Sequence, residues 1–240
     1  MARTQTDMCF ASAMSHAPAT DEAVEATIGK LAGQLAGRAD LVLAFATPHH
    51  GDRFEVIQRG LATLDPGVAL VTTASGVIQA GEEIEQGPGL VVLAARLPGA
   101  RLRPFRWEQK DWPDVLSAPL EAREGEAGSD PLRAVMLLAD PFSTPMLDLL
   151  PALEDRYPGA PILGALVGGG SQPGENRLML DGQLQDDGAI GVAIEGEIEV
   201  TTALSQGCRP IGRPQVMTAA EDHVIEQLGG RNALTVVQEL

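Results

Sequence analysis

Short uninterrupted apolar runs alternate along this chain with longer stretches of helical spacing. Leu41–Ala46, Val68–Thr73, Leu90–Ala95 and Ala134–Ala139 are continuously apolar or nearly so, as strands buried on both faces must be. Met8–Met14, Pro161–Leu166, Arg177–Leu180, Ala189–Ile194 and Glu197–Leu204 also read as strands. Val24, Ile28, Leu31 and Leu35 recur at helical spacing behind Thr20 and Asp21, which are N-cap candidates, and predict a helix to about Gly37. Phe54, Ile57, Leu61 and Leu64 predict a second helix, stopped by Asp65-Pro66-Gly67. Pro98-Gly99 reads as the turn of a hairpin leading into Arg101–Arg106. A helix is expected over Val115–Arg123, before the polar connector EGEAGSD. Thr144, with Pro145 after it, predicts the start of a helix whose buried stripe is Met146, Leu150, Leu153 and Tyr157. Near the end, Thr218 and Glu221 form a capping-box pattern that predicts a helix to about Leu228, and Asn232–Leu240 has helical character.

The pattern repeats. Leu41–His50 returns as Ala134–Ser143, with Val42, Ala46 and Pro48 falling on Val135, Ala139 and Pro141. Without a gap, Gly76, Gly81 and Glu82 fall on Gly169, Gly174 and Glu175, at a constant offset of about 93 residues that is far longer than a solenoid period. Helices must cover the apolar strands, so the fold class is mixed α/β (α+β). The chain reads as an internally duplicated α-β-α-β-β-β-β unit, with mixed sheets and helices on the outside. Residues 1–240 then form one domain of two pseudo-repeats, about 20–108 and about 112–204, plus a C-terminal extension over 205–240.

Composition narrows the function classes. The net charge of −16 argues against nucleic acid and against anionic membrane surfaces as partners. No run of 18 apolar residues occurs, and the N-terminus lacks the apolar core of a signal peptide, so a cytoplasmic protein is expected. There Cys9 and Cys208 would be reduced thiols. Aromatic residues make up only 3% of the chain, so Val, Leu, Ile and Ala must build the core.

Candidate chemistry gathers in loops that follow apolar strands, where open α/β sheets bind ligands. Thr47, Pro48, His49 and His50 follow one such strand, and the histidines could meet a carboxylate or a metal. Ser75 and Gly76 follow the next. Gly168-Gly169-Gly170 follows a strand of the second copy, without the ending of a phosphate-binding P-loop or dinucleotide spacing, so close backbone packing or ligand approach is the favoured reading. Gly207, Cys208 and Arg209 form the remaining candidate; Arg209 could clamp a carboxylate, and Cys208 could be a structural corner or, with a histidine, a nucleophile. No catalytic residue, metal site or cofactor is assigned. The acidic pairs Glu82-Glu83 and Asp186-Asp187 read as solvated surface.

Several segments resemble the N-terminal domain of FIST proteins (F-box and intracellular signal transduction proteins). They are Phe10–Ser15, Phe45–His50, Ala94–Gly99 with Arg103-Pro104-Phe105, Leu178–Gly182, and above all Ser205–Gly212. The resemblance implies a sensory domain of bacterial signalling that binds small ligands, with amino acids suggested, and no established catalysis. It also implies a C-terminal FIST domain or a signalling protein as partner. Where family members carry Gly-Cys-Ser-x-Glu-Gly, this chain has Val71–Gly76, which bears on ligand identity. A ligand site between the two copies is therefore expected, lined by Thr47–His50, Ser75-Gly76, Gly168-Gly169 and Gly207–Arg209. The alternatives are an interaction scaffold for a partner domain and a Cys/His-dependent enzyme.

Overall fold

The continuous apolar runs become strands covered on both sides. The computed structural model describes residues 8–35, 37–117, 131–203, 210–221 and 224–239. The first half contains β1 (Cys9–Ser15), α1 (Thr20–Ala32), β2 (Leu41–Ala46), α2 (Phe54–Ala62), β3 (Val68–Thr73), the short pair β4 (Val77–Gln79) and β5 (Glu82–Ile84), and β6 (Leu90–Arg96). The second half contains β7 (Ala100–Trp107), α3 (Trp112–Ser117), β8 (Leu132–Ala139), α4 (Met146–Arg156), β9 (Ile162–Leu166), the short pair β10 (Leu178–Leu180) and β11 (Gln183–Gln185), and β12 (Ala189–Gly196).

The two halves share one strand order. The first sheet runs β1-β6-β2-β3 and continues into β10-β11, while the second runs β7-β12-β8-β9. In each, the middle pair is antiparallel (β2 with β6, β8 with β12) and the crossover pair is parallel (β2 with β3, β8 with β9). The sheets pack face to face. Leu41, Val68, Leu70 and Leu178 of the first meet Ala134, Leu138, Ile190 and Val192 of the second. The outer face of the first sheet packs Val42, Ala44 and Val92 against Ala23, Leu31, Phe54, Ile57 and Leu61 of α1 and α2. The outer face of the second packs Leu137, Ala139 and Trp107 against Trp112, Leu149 and Leu153 of α3 and α4. The result is a mixed α/β fold of four layers with helices outermost.

Several expectations are corrected. Strand β7 pairs with β12 and not with β6, because β1 and β2 already occupy both edges of β6. Pro98-Gly99 therefore carries the chain from one sheet to the other. In α4 the buried residues are Leu149 and Leu153, and Leu150 is exposed. Thr144 does not cap that helix; its hydroxyl donates to the Gly188 carbonyl at 2.9 Å. Thr20 does not cap α1 either; its N-cap is Ala19, and the Thr20 hydroxyl is hydrogen-bonded to His50. Gly196, at φ +106, ends β12, and residues 197–203 form no strand. The expected helix over Val115–Arg123 is α3, which ends at Ser117, and residues 118–130 lie outside the described residues.

Residues 202–240 form a separate compact unit. It contains β13 (Met217–Glu221), β14 (Val224–Leu228), β15 (Arg231–Asn232) and α5 (Ala233–Gln238). The predicted helix over 218–228 is thus a hairpin. Gly229 (φ +60) and Gly230 (φ +77) form the two-residue turn between β14 and β15, and both positive φ values suit a tight hairpin turn. The Thr218 hydroxyl accepts from the Gly230 N–H at 2.9 Å, so it serves the sheet and not a helix cap. Asn232 caps α5, its side chain accepting from the Thr235 N–H.

Candidate functional site

Both parallel pairs point their carboxyl ends toward loops that meet. After β2, Thr47 is buried and clamps Gly89: its N–H donates to the Gly89 carbonyl, and its Oγ1 accepts from the Gly89 N–H, each at 2.9 Å. After β8, Asp140 stands in the same place and donates its N–H to the Gly188 carbonyl at 2.8 Å, while Ser143 Oγ accepts from the Gly188 N–H at 2.7 Å. Pro48 then opens a short 3-10 turn, Pro48–Arg53.

The two histidines of that turn diverge. His49 is exposed, and His50 is fully buried. His50 Nδ1 lies 3.0 Å from Thr20 Oγ1, and its Nε2 has no hydrogen-bond partner among the described residues. Burial first, and then the neighbouring His49, pull the His50 pKa below the ordinary histidine value. The pair therefore does not present two ring nitrogens to one ligand.

The glycine loop of the second half closes on the first. The Gly169 N–H donates to Ser75 Oγ at 3.0 Å. A Cβ on Gly168 would come within 2.6 Å of Ser75 Oγ, and one on Gly169 (φ +106) within 2.9 Å of the Pro48 ring. Glycine is required there because another loop occupies the space a side chain would need. Gly76 packs against the Ile84 carbonyl, so it shapes the β4–β5 hairpin. Thr47, Pro48, His49, His50, Ser75, Gly168 and Gly169 are thus brought together. Gly207, Cys208 and Arg209 lie outside the described residues.

The supporting network contains residues that the sequence reading missed. Asn176 is fully buried; its amide donates to Asp140 Oδ1 at 2.8 Å and accepts from the Gly170 N–H at 2.9 Å. Asp140 Oδ2 accepts from Ser143 Oγ at 2.6 Å and the Phe142 N–H at 3.1 Å. Thr73 and Arg177 exchange two hydrogen bonds of 3.0 Å across the halves. Glu175 folds back to accept from the N–H and hydroxyl of Ser171 and the N–H of Gln172, which holds its carboxyl below the usual range. Asp140 was findable as the polar residue ending an apolar strand at the repeat position of Thr47. Asn176 carries no such signal.

The glycine loop is also where the halves part company. The offset between them is 93 residues at β2 and β8, but 101 at the hairpin turns, where Gly81 stands against Gly182. The ungapped matches of Gly81 to Gly174 and of Glu82 to Glu175 therefore do not hold in space. About eight extra residues in the second half build the Gly168–Gly174 loop. Among the described residues, no three His, Cys, Asp or Glu side chains are grouped to hold a metal ion. No described helix is long and apolar enough to cross a membrane.

The FIST N domain family matches residues 40–231, which include every candidate loop, and the chain belongs to that family. Domains of this family are sensory domains of signal transduction. An uncharacterized protein of Mycobacterium tuberculosis (strain H37Rv) is 29% identical over 199 residues, covering 83% of this chain and 50% of the relative. An uncharacterized protein of Mycobacterium bovis is 32% identical over 226 residues, covering 92% of this chain and 56% of the relative. The chain spans about half the length of the curated relatives it matches.

Proposed function

We propose that this chain is the ligand-binding input domain of a signal-transduction protein. It takes a small polar metabolite, with amino acids the first class to test, on the rim shared by Pro48, His49, Ser75 and Gly168-Gly169. The observation that carries this reading is the contact of Gly168 and Gly169 with Ser75 and Pro48. It sets the carboxyl ends of parallel strands from both sheets at one rim, and ligand sites favour such junctions. Ser75 and the exposed His49 offer side-chain partners there. His50 is not part of the rim, since it has no exposed surface. The reading assigns no catalytic step. The similarity of the halves supports an internal duplication in which the second copy carries the longer, glycine-rich loop.

A thermal-shift screen against the amino acids and small carboxylates tests this. A ligand at a hundred times its dissociation constant stabilises by about 2.7 kcal/mol, a rise of several degrees. The shift should be confined to one chemical class and shrink in His49→Ala, whose unliganded melting point should match the parent. A flat screen on folded protein overturns the reading in favour of an interaction scaffold. That second reading has its own support: Leu147 of α4 is 93% exposed, Leu166 is 54% exposed, and the β9 edge is open among the described residues. Concentration-dependent association in sedimentation would favour it.

A further inference from the structure

The Pro48–Arg53 turn holds a titratable group that ligand binding at the rim does not use. His50 is sealed from solvent, bonded to Thr20 through Nδ1, and bare at Nε2. A neutral imidazole tolerates this placement, because Thr20 serves one nitrogen and only one polar atom goes unmet. An imidazolium does not: both nitrogens become donors, Nε2–H finds no acceptor, and a charge is kept from water.

Among the described residues, none of the charged groups on the surrounding elements is hydrogen-bonded to the ring. In its own turn lie His49, Asp52 and Arg53; on α1, Asp21 and Glu22; on α2, Glu55. Arg53 Nη2 binds Asp21 at 3.0 Å and Arg53 Nε binds Glu55 at 3.3 Å, so those two carboxylates are already engaged. β3 ends in the neutral Thr73, and β2 is followed by the neutral Thr47.

We propose that His50 is a proton-operated latch: neutral, it docks the Pro48–Arg53 turn onto the start of α1, and on protonation it leaves its pocket and frees the turn. That the freed turn carries ligand-contacting residues rests on the function proposed above; the latch itself does not. The open or unfolded chain takes up a proton near the ordinary histidine value of about 6.5. The folded site resists until a lower pH. The latch is therefore fully closed above about pH 6.5 and weakens as pH falls from there through the lowered folded value.

The test uses the full chain. The four histidine Cε1–H signals are titrated by NMR, His50 being assigned by its loss in His50→Gln, and amide-exchange protection is followed over residues 49–53. His50 should titrate below the ordinary histidine value. Protection over 49–53 should fall about tenfold between pH 7.5 and pH 5 in the parent chain and stay within about twofold in His50→Gln. Thr20→Val, which removes the hydroxyl bonded to Nδ1, should loosen the turn already at pH 7.5. An ordinary His50 titration with unchanged protection overturns the latch, and this result is independent of any ligand screen. If His50→Gln does not fold, the parent titration and Thr20→Val decide the matter alone.

Discussion

Asn176 shows how much of the rim depends on single side chains. It has no exposed surface, and its amide bridges Asp140 at the end of β8 and the Gly170 N–H of the glycine loop. Replacing it with Ala leaves a carboxylate oxygen and an amide without partners, where each unmet buried group costs about 1–3 kcal/mol. We expect Asn176→Ala to lower the unfolding free energy in urea by about 2–3 kcal/mol. A loss below about 0.5 kcal/mol, the size of a surface substitution, would mean that other contacts hold the loop. The loops after β2, β3 and β9 were legible at this scale because each follows an apolar run. The division of labour between His49 and His50 was not, since adjacent residues in a tight turn point in directions only the turn geometry sets.

At the scale of elements, close packing overrides intrinsic preference. Gly60 sits within α2, where Ala would be favoured by about 1 kcal/mol. Yet a Cβ there would lie 2.1 Å from Val24 Cγ1 of α1. Val24 is β-branched and cannot readily turn away, and overpacking of this kind costs about 1–3 kcal/mol. Gly60→Ala should therefore destabilise the protein, by about 1–2 kcal/mol in chemical denaturation. Adding Val24→Ala should recover much of that loss; strict additivity of the two changes would contradict the proposed contact. Elements with unbroken patterns were read correctly: β2 and β3 occupy the expected residues, and α2 buries Phe54, Ile57 and Leu61 as its spacing required. The stretch 218–228 was misread because a Thr-x-x-Glu pattern satisfies a helix start locally. In the structure this stretch pairs β13 with β14, and the glycines at 229 and 230 turn the chain from β14 into β15.

At the scale of the whole molecule, the two compact units differ in how much they bury. In residues 202–240 only Ala233 and Val236 are buried among the described residues, whereas β2, β6, β8 and β12 of the larger unit are lined with buried side chains. A unit of this size with so small a core opens at low free energy. Hydrogen exchange followed by mass spectrometry should show β13 and β14 exchanging well before β6 and β12. Equal protection would show that the smaller unit shares the larger one's cooperativity.

The linear pattern alone determined the mixed α/β class, the outer helices, most strand positions and the family resemblance. These depend on local periodicity and on short segments that keep their meaning wherever they lie. The tertiary structure decided which strands pair, that β7 leaves the first sheet, and that β10 completes the edge of β3. It also decided that the glycine loop meets Ser75 and Pro48 and that His50 is sealed inside. Those outcomes depend on which edges are already occupied and which volumes are already filled, and residues far apart in the chain settle both.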